Sequence, residues 1–300
     1  MWLYIALLGY GALAVVNILD KFILSKEKVQ PSLYTFYTAI TVLPIVLLIP
    51  FGITMLGSSG EWLIAALSGV SFMLALIALY VGFRESEISH VGPLVGAAIP
   101  IFTLFLAKFF LHESISTRET IAVLVLIAGS VLISSEKSRW HSGWHKGMLW
   151  GIVAGLLLAI SHVASKYIYG EVGFYSGFIW TRAALGLSGM FLLLLPSVHE
   201  PLFQKRSWFS GSYARGNLGL VVLNKLLAVA GVILIQYAIS LGRVSLVSAL
   251  SGVQFAFLVI VVVILSKFFP RLFREDYRRG EVIQELAAVV FISVGLVLLL

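Results

Sequence analysis

The chain has 300 residues, of which 60% are hydrophobic and 12% are charged. Average globular proteins have about 45–50% apolar and about 25% charged residues, so this chain has too few charges to cover a water-facing surface. The same figures argue against intrinsic disorder, and the absence of cysteine excludes a disulfide scaffold. The net charge of +7 comes from Lys and Arg scattered through short connections, which argues against a nucleic-acid partner and favours a membrane surface.

Ten apolar runs are long enough to cross a bilayer as helices, because about 20 residues at about 1.5 Å each span about 30 Å of hydrocarbon. Runs of this length without period-2 alternation pair their backbone groups as helices and not as barrel strands. The predicted fold class is therefore an all-α polytopic membrane protein with ten transmembrane helices. We predict these helices at roughly 2–24, 32–51, 62–83, 88–110, 118–135, 147–169, 173–196, 218–240, 243–268 and 282–300.

A polar stretch at 136–146 separates the predicted helices into two groups of five. We therefore predict a first five-helix repeat over 1–135, a linker over 136–146 and a second five-helix repeat over 147–300. Because each repeat has an odd number of crossings, the second enters the membrane from the opposite side. Such inverted repeats are typical of secondary transporters, whose substrate site lies near the membrane midplane between the halves.

The two predicted repeats resemble each other in sequence. Lys21 ends the first predicted helix as Lys166 ends the sixth. The fourth and ninth helices share a constant spacing of mostly small residues, with Gly92, Gly96 and Pro100 corresponding to Ser248, Gly252 and Ala256. The same spacing occurs in the sixth helix at Gly151, Gly155 and Ala159. Small residues at this spacing are most simply faces for close helix packing.

Polar side chains inside the predicted spans are candidates for a transport pathway, because they usually face a bundle interior or a water-filled cavity. Trp180 joins them because it lies well inside its predicted helix, away from the interface where tryptophan is usual. The candidate substrate-binding residues are Asn17, Asp20, His162, Trp180, Arg182, Asn224, Lys225 and Gln254.

The cations among these residues have more than one interpretation. For Arg182 and Lys225, a structural ion pair and a ligand contact both stay open. If both line a cavity, their charge favours an anionic or zwitterionic cargo with a carboxylate or phosphate group. For His162, a hydrogen bond between helices is favoured over a role as proton carrier. Lys21 and Lys166 lie near helix ends, where snorkelling to the interface is the favoured interpretation.

Motifs for catalysis are absent from the sequence, which contains no G-x4-G-K-[ST], no H-E-x-x-H and no G-x-S-x-G. His141 and His145 have no acidic or sulfur partner close by, and two imidazoles do not complete a zinc site. We therefore predict no enzyme activity, no cofactor and no metal site. Without a nucleotide-binding motif, transport is expected to be driven by a gradient of protons, of other ions or of the substrate itself.

Several runs resemble an EamA domain of the drug/metabolite transporter superfamily. In the first half they are Ala78-Leu79-Tyr80, Ser86-Glu87-Ile88-Ser89, the run from Gly96 to Thr103, His112-Glu113, and the run from Ala128 to Leu132. The second half is similar at 180–185, 238–240 and 245–250, but has a longer polar connection at 268–276 after its fourth helix.

The resemblance covers nearly the whole chain and implies a ten-helix secondary transporter, often an exporter, that works by alternating access. It also implies a central cavity lined by both halves, and a multi-pass protein of a bacterial or archaeal inner membrane. Relatives move amino acids, drugs, nucleotide sugars and other metabolites, so the resemblance does not fix the cargo.

The favoured hypothesis is a gradient-driven exporter of a small polar or amphipathic metabolite, embedded in the lipid bilayer as a monomer or homodimer. A non-transporting scaffold or assembly protein, and a flippase of a lipid-linked substrate, remain alternatives on the same fold. The orientation of the chain stays open. Most loop Lys and Arg lie on the side opposite to the termini, which places both termini outside, whereas the family resemblance implies termini inside.

Overall fold

The structure is a computed structural model that describes residues 1–26, 30–86, 88–134, 146–203, 212–254, 256–258, 261 and 279–299. Within these ranges every regular element is helical, which confirms the predicted all-α class. The predicted connection at 268–276, His141 and His145, and nearly all of the predicted linker 136–146 lie outside the described residues.

The described α-helices follow the predicted apolar runs, although residues 262–268 of the ninth predicted helix lie outside the described residues. In chain order they are α1 (Trp2–Lys26), α2 (Pro31–Val42), α3 (Ser59–Glu85), α4 (Ile88–Phe110), α5 (Thr117–Ser134), α6 (Lys146–Met190), α7 (Pro196–Phe203), α8 (Ser212–Leu241), α9 (Val244–Ala249) and α10 (Arg279–Leu299). Short 3-10 helices continue α2 over Leu43–Leu48 and α6 over Phe191–Leu194. The short helix α7, with 8 residues, was not predicted, because it is far too short to produce a membrane-spanning apolar run.

Serine and glutamate side chains start two of these helices. At α3, the Ser58 hydroxyl accepts from the backbone N–H of Glu61 at 3.2 Å and donates to the Glu61 carboxylate at 2.9 Å. Ser116 and Glu119 make the corresponding contacts at α5. These pairs satisfy backbone donors that the first helical turn leaves without an intrahelical partner.

The long helix α6 reverses direction at Gly173, where φ is 76°. A Cβ atom on Gly177 would lie 3.1 Å from the side chain of Ile168, although residues nine apart in a straight helix are separated by about 13.5 Å. The first arm, 146–172, and the second arm, 174–190, therefore fold back on each other. Glycine suits this turn because a positive φ is costly for residues with a Cβ atom. The two arms correspond to the helices predicted at 147–169 and 173–196.

Six stretches of the described residues are long and apolar enough to cross a membrane. They are Trp2–Asp20, Pro31–Leu48, Ser59–Glu85, Val91–Phe110, Lys146–Leu194 and Val222–Leu241, and Lys146–Leu194 contains both arms of α6. Large apolar side chains such as Leu8, Phe105 and Leu226 are more than half exposed on the outside of the bundle. A surface of this kind fits lipid as the surrounding solvent.

Small residues let the helix backbones approach closely. A Cβ atom on Gly155 would lie 2.5 Å from that of Ala98, which confirms Gly155 as a packing position between α6 and α4. One on Gly252 would lie 2.5 Å from the Ser130 hydroxyl of α5, so Gly252 packs as predicted. Such contacts bring the helices of the second half against those of the first.

Candidate functional site

A cavity of about 120 Å³ lies between helices of the two halves of the chain. A buried water needs about 10–15 Å³ of such space, so the cavity has room for a small metabolite. From the first half α1, α2, α3 and α4 line it, and from the second half the first arm of α6, α8 and Gln254 do so. Its walls are mainly apolar with a few polar side chains, a composition typical of ligand pockets.

Five of the eight residues predicted from the sequence line this cavity, namely Asn17, Asp20, His162, Lys225 and Gln254. The other three lie outside its lining. Asn224 contacts Asp20, and Arg182 contacts the wall residue Phe72. Trp180 belongs to a different part of the bundle.

Asp20 is the centre of a buried hydrogen-bonded group and is 2% exposed. The hydroxyl of Tyr34 on α2 donates to its Oδ1 atom. The side-chain nitrogen of Asn224 on α8 donates to the same oxygen at 2.7 Å. Helices α1, α2 and α8 therefore meet at this carboxylate, and two donors offset part of the cost of burying it.

Lys225 lies next to this group. Its Nζ atom donates to the Thr38 hydroxyl at 2.9 Å and lies 3.8 Å from the centroid of the Tyr34 ring. The ring of Tyr80, another cavity residue, packs edge-on against Tyr34 with centroids 4.9 Å apart. Lys225 and Asp20 thus share Tyr34 as a contact, which brings opposite charges into one cluster at the cavity wall.

Arg182 is 1% exposed, and its three guanidinium nitrogens have no hydrogen-bond partner within the described part of the chain. The guanidinium carbon lies 4.6 Å from the centroid of the Phe72 ring and 5.8 Å from that of Phe178. Because Phe72 lines the cavity, Arg182 lies one aromatic ring away from it.

Two further polar wall residues, His162 and Gln236, connect helices of the second half. His162 Nδ1 lies 3.4 Å from the Ser248 hydroxyl, a long hydrogen bond between α6 and α9. Gln236 on α8 accepts from the Tyr169 hydroxyl on α6 at 2.8 Å. For His162, the favoured prediction of a hydrogen bond between helices is confirmed.

Trp180 contacts the connection between α2 and α3. Its indole nitrogen donates to the carbonyl of Thr54 at 2.9 Å, and its ring packs edge-on against Trp62 with centroids 4.8 Å apart. These contacts hold the connection between α2 and α3 against the second arm of α6.

Residues 1–135 match the family described as the EamA-like transporter family. After this match we refer to residues 1–135 as the EamA domain. That family belongs to the drug/metabolite transporter superfamily, so the resemblance found in the sequence is confirmed over residues 1–135.

Solved structures include a crystal structure similar to this chain, with a TM-score of 0.61 and 16% sequence identity. The similarity covers 97% of this chain and 96% of the other. At this identity it shows a shared fold alone, and that fold extends beyond the EamA domain into the second half. No curated protein sequence matches the chain.

Glu113 of the EamA domain binds the second half. Its carboxylate accepts from the backbone N–H of Val244 at 2.8 Å and from the Ser245 hydroxyl at 2.7 Å, at the start of α9. Close by, Arg243 forms an ion pair with Glu119 and donates to the carbonyl of Ser114 at 2.7 Å. We call these contacts of Glu113, Glu119 and Arg243 the α4–α9 clasp, because they join the connection after α4 and the first turn of α5 to the start of α9.

Lys166 on the first arm of α6 contacts the end of α8. Its Nζ atom donates to the carbonyls of Ile239, Ser240 and Gly242, at 2.9, 3.1 and 2.8 Å. Carbonyls at the end of α8 lack intrahelical partners, so they can bind the ammonium group. Lys166 is partly exposed, and the snorkelling interpretation stays a prediction.

The sequence does not single out several residues that lie in the cavity wall or, like Tyr34, contact it. Tyr34 and Thr38 lie four residues apart on α2 and so share one helix face, a signal that is visible in the sequence. Tyr80 lies in one of the runs that resemble the EamA domain. For Phe72 no comparable signal exists, since an apolar ring in an apolar helix looks like any packing residue.

Proposed function

We propose that this EamA-domain protein is a gradient-driven secondary transporter that exports a small polar or amphipathic metabolite by alternating access. The observation that supports this function best is the cavity shared by the EamA domain and the second half. A cavity between two halves suits alternating access, because small movements of one half against the other open it to either side.

The proposed architecture has ten crossings, arranged as inverted repeats over 1–135 and 147–300 with a linker at 136–146. The reversal of α6 at Gly173 supports this count, since each arm then supplies one crossing. An odd number of crossings in the EamA domain gives the second half the opposite orientation.

We assign roles to the polar residues from their positions. Asn17, His162, Lys225 and Gln254 line the cavity and contact the cargo. Asp20 holds a coupling proton or other ion, because it is the acidic side chain among the described residues that line the cavity. Asn224 positions Asp20 through its hydrogen bond.

Cysteine accessibility tests alternating access without knowledge of the cargo. The chain has no cysteine, so Leu76→Cys places a single thiol in the cavity wall. In membrane vesicles of both orientations, a water-soluble maleimide is expected to label this thiol from each side of the membrane. Leu8→Cys is the control, because Leu8 is exposed on the lipid-facing side of α1 and the reagent does not enter hydrocarbon.

The outcomes separate the alternative functions. Labelling from only one side would contradict alternating access, and labelling from neither side would favour a closed scaffold. In intact cells, a C-terminal reporter that is active only in the cytoplasm decides between the two orientations. Proteoliposomes that move phospholipid-linked cargo but no soluble metabolite would favour a flippase.

A further inference from the structure

We propose that Arg182 is a carboxylate-binding group covered by Phe72, and that the cargo is a small carboxylate with an apolar body. This inference rests on the proposed transport function and names the chemistry of its substrate.

The guanidinium group of Arg182 lacks the partners that such a group normally has when buried. It carries five N–H donors in a planar fork that fits a carboxylate, yet none of its nitrogens is hydrogen-bonded within the described part of the chain. Burial of an unpaired ion costs several kcal/mol, so a buried arginine is usually paired. A carboxylate brought by a ligand would supply the missing partner.

Cation–π contacts with Phe72 and Phe178 replace only part of the missing hydrogen bonding of Arg182. A cation over an aromatic face is attracted by the ring, but it receives no directional hydrogen bond from it. A bidentate carboxylate adds two charge-assisted hydrogen bonds, which are stronger and more directional. Because Phe72 both lines the cavity and covers Arg182, a change of its side-chain rotamer would open the guanidinium to a ligand in the cavity.

Lys225 is a weaker candidate for binding an anion. Its ammonium group already contacts Thr38 and Tyr34, and Tyr34 donates to Asp20. The negative charge of Asp20 therefore compensates Lys225 locally. No carboxylate of the described residues forms an ion pair with Arg182.

The rest of the wall indicates the body of the ligand. Half of the lining side chains are aliphatic, among them Leu76, Leu79, Val95, Ile99 and Val232. A carboxylate on a compact apolar body would place its charge at Arg182 and its hydrocarbon against these side chains. Benzoate has this chemistry, and benzamide is its neutral counterpart of nearly the same shape.

The test compares binding of these two probes by the purified full-length protein in lipid nanodiscs at constant ionic strength. Thermal unfolding reports binding, because a ligand of the folded state raises the melting temperature. Wild-type protein is expected to bind benzoate at least about tenfold more tightly than benzamide, the preference that one charged hydrogen bond provides. Arg182→Gln is expected to abolish this preference, and Phe72→Ala to strengthen benzoate binding by removing the covering ring.

Matched variants keep the test decisive. Arg84→Gln removes an exposed arginine at the end of α3 and is expected to keep the wild-type preference. Arg182→Lys retains the charge and is expected to keep part of it. Equal binding of both probes by the wild type would overturn the inference. The inference would also be overturned if Arg182→Gln kept the preference for benzoate over benzamide. It would be overturned as well if Lys225→Gln lost this preference and Arg182→Gln did not.

Transport of the same probes separates this inference from the proposed function. Proteoliposomes that move a neutral metabolite while the protein shows no carboxylate preference would leave the transporter standing and overturn the role of Arg182. Arg182-dependent binding of benzoate, combined with single-sided labelling of Leu76→Cys, would support the binding site and overturn transport.

Discussion

The side-chain nitrogen of Asn224 donates a 2.7 Å hydrogen bond to Asp20, and this bond joins α8 of the second half to α1 of the EamA domain. Tyr34 donates to the same carboxylate oxygen from α2. Asn224 is fully buried and Asp20 nearly so. A buried carboxylate that loses one of its donors is destabilised by about 1–3 kcal/mol. These bonds should therefore matter for the stability of the whole bundle.

Tyr34→Phe tests this group with a minimal change. The variant loses the hydroxyl donor to Asp20 and keeps the ring that lies beneath Lys225. We expect the free energy of unfolding to fall by about 1–3 kcal/mol, measured as a lower melting temperature in detergent. Tyr4→Phe is the control, because Tyr4 is exposed near the start of α1. Equal stability of the two variants would contradict the role of the hydroxyl.

Much of the fold is predictable because its signal is local. A run of about 20 apolar residues requires a helix wherever the chain crosses lipid, so the bounds of α1, α3 and α4 follow from hydropathy. The reversal of α6 falls where the predicted helices 147–169 and 173–196 meet, but hydropathy does not identify Gly173 as the residue with a positive φ. The helical runs on either side were predicted, and the contact of Gly177 with Ile168 shows how they meet.

The site is less predictable because its contacts are distant in sequence. Asp20, His162 and Lys225 could be found because polar groups are rare in spans. That Lys166 binds the end of α8, and that Phe72 covers Arg182, depends on how helices far apart in the chain pack. Hydropathy contains no information on those pairings.

Lys166→Met tests the contacts at the end of α8. The variant keeps an apolar stem of similar size and loses three hydrogen bonds from a charged group to carbonyls. We expect a loss of about 2–4 kcal/mol in the free energy of unfolding, since the three bonds share one donor group and are not additive. Lys108→Met at an exposed position near the end of α4 should change stability little. If the Lys166 ammonium only reached water at the interface, Lys166→Met would lower the free energy of unfolding as little as Lys108→Met.

Gly69→Ala tests the close approach of α3 to the second arm of α6. A Cβ atom at 69 would overlap with backbone atoms of Ala184 and Leu185, which cannot move without shifting the helix. We expect a loss of about 1–3 kcal/mol, the usual cost of overpacking. Gly11→Ala is the matched control in α1, where nothing lies within 4 Å of the added methyl group. Thermal unfolding of both variants should show a clear loss at 69 and none at 11.

The α4–α9 clasp makes a prediction about the conformational equilibrium. Glu113→Ala removes the acceptor for Val244 and Ser245, so the end of the bundle at which α4 ends should open more often. We expect the thiol of Leu76→Cys to be labelled about tenfold faster from that side of the membrane, since a bond to a charged group is worth about 1.5–3 kcal/mol.

Two further variants define what the clasp does. Glu113→Gln keeps one acceptor oxygen and should give an intermediate labelling rate. Glu171→Ala removes an exposed carboxylate close to the turn at Gly173 and should leave the rate unchanged. If Glu113→Ala raised labelling equally from both sides, the contacts would hold the fold together without controlling access to the cavity.

Arg182→Met tests whether Arg182 binds a ligand or stabilises the fold. The two roles predict changes of opposite sign in the free energy of unfolding. The guanidinium is buried without a hydrogen-bond partner in the described ranges, and its desolvation exceeds the about 2 kcal/mol gained from stacking on Phe72. Methionine fills similar space without charge, so we expect the free energy of unfolding without ligand to rise by about 1–3 kcal/mol. Thermal unfolding measures the change, while benzoate should no longer stabilise the variant. A structural arginine would give the opposite result, a bundle that is less stable in the absence of any ligand.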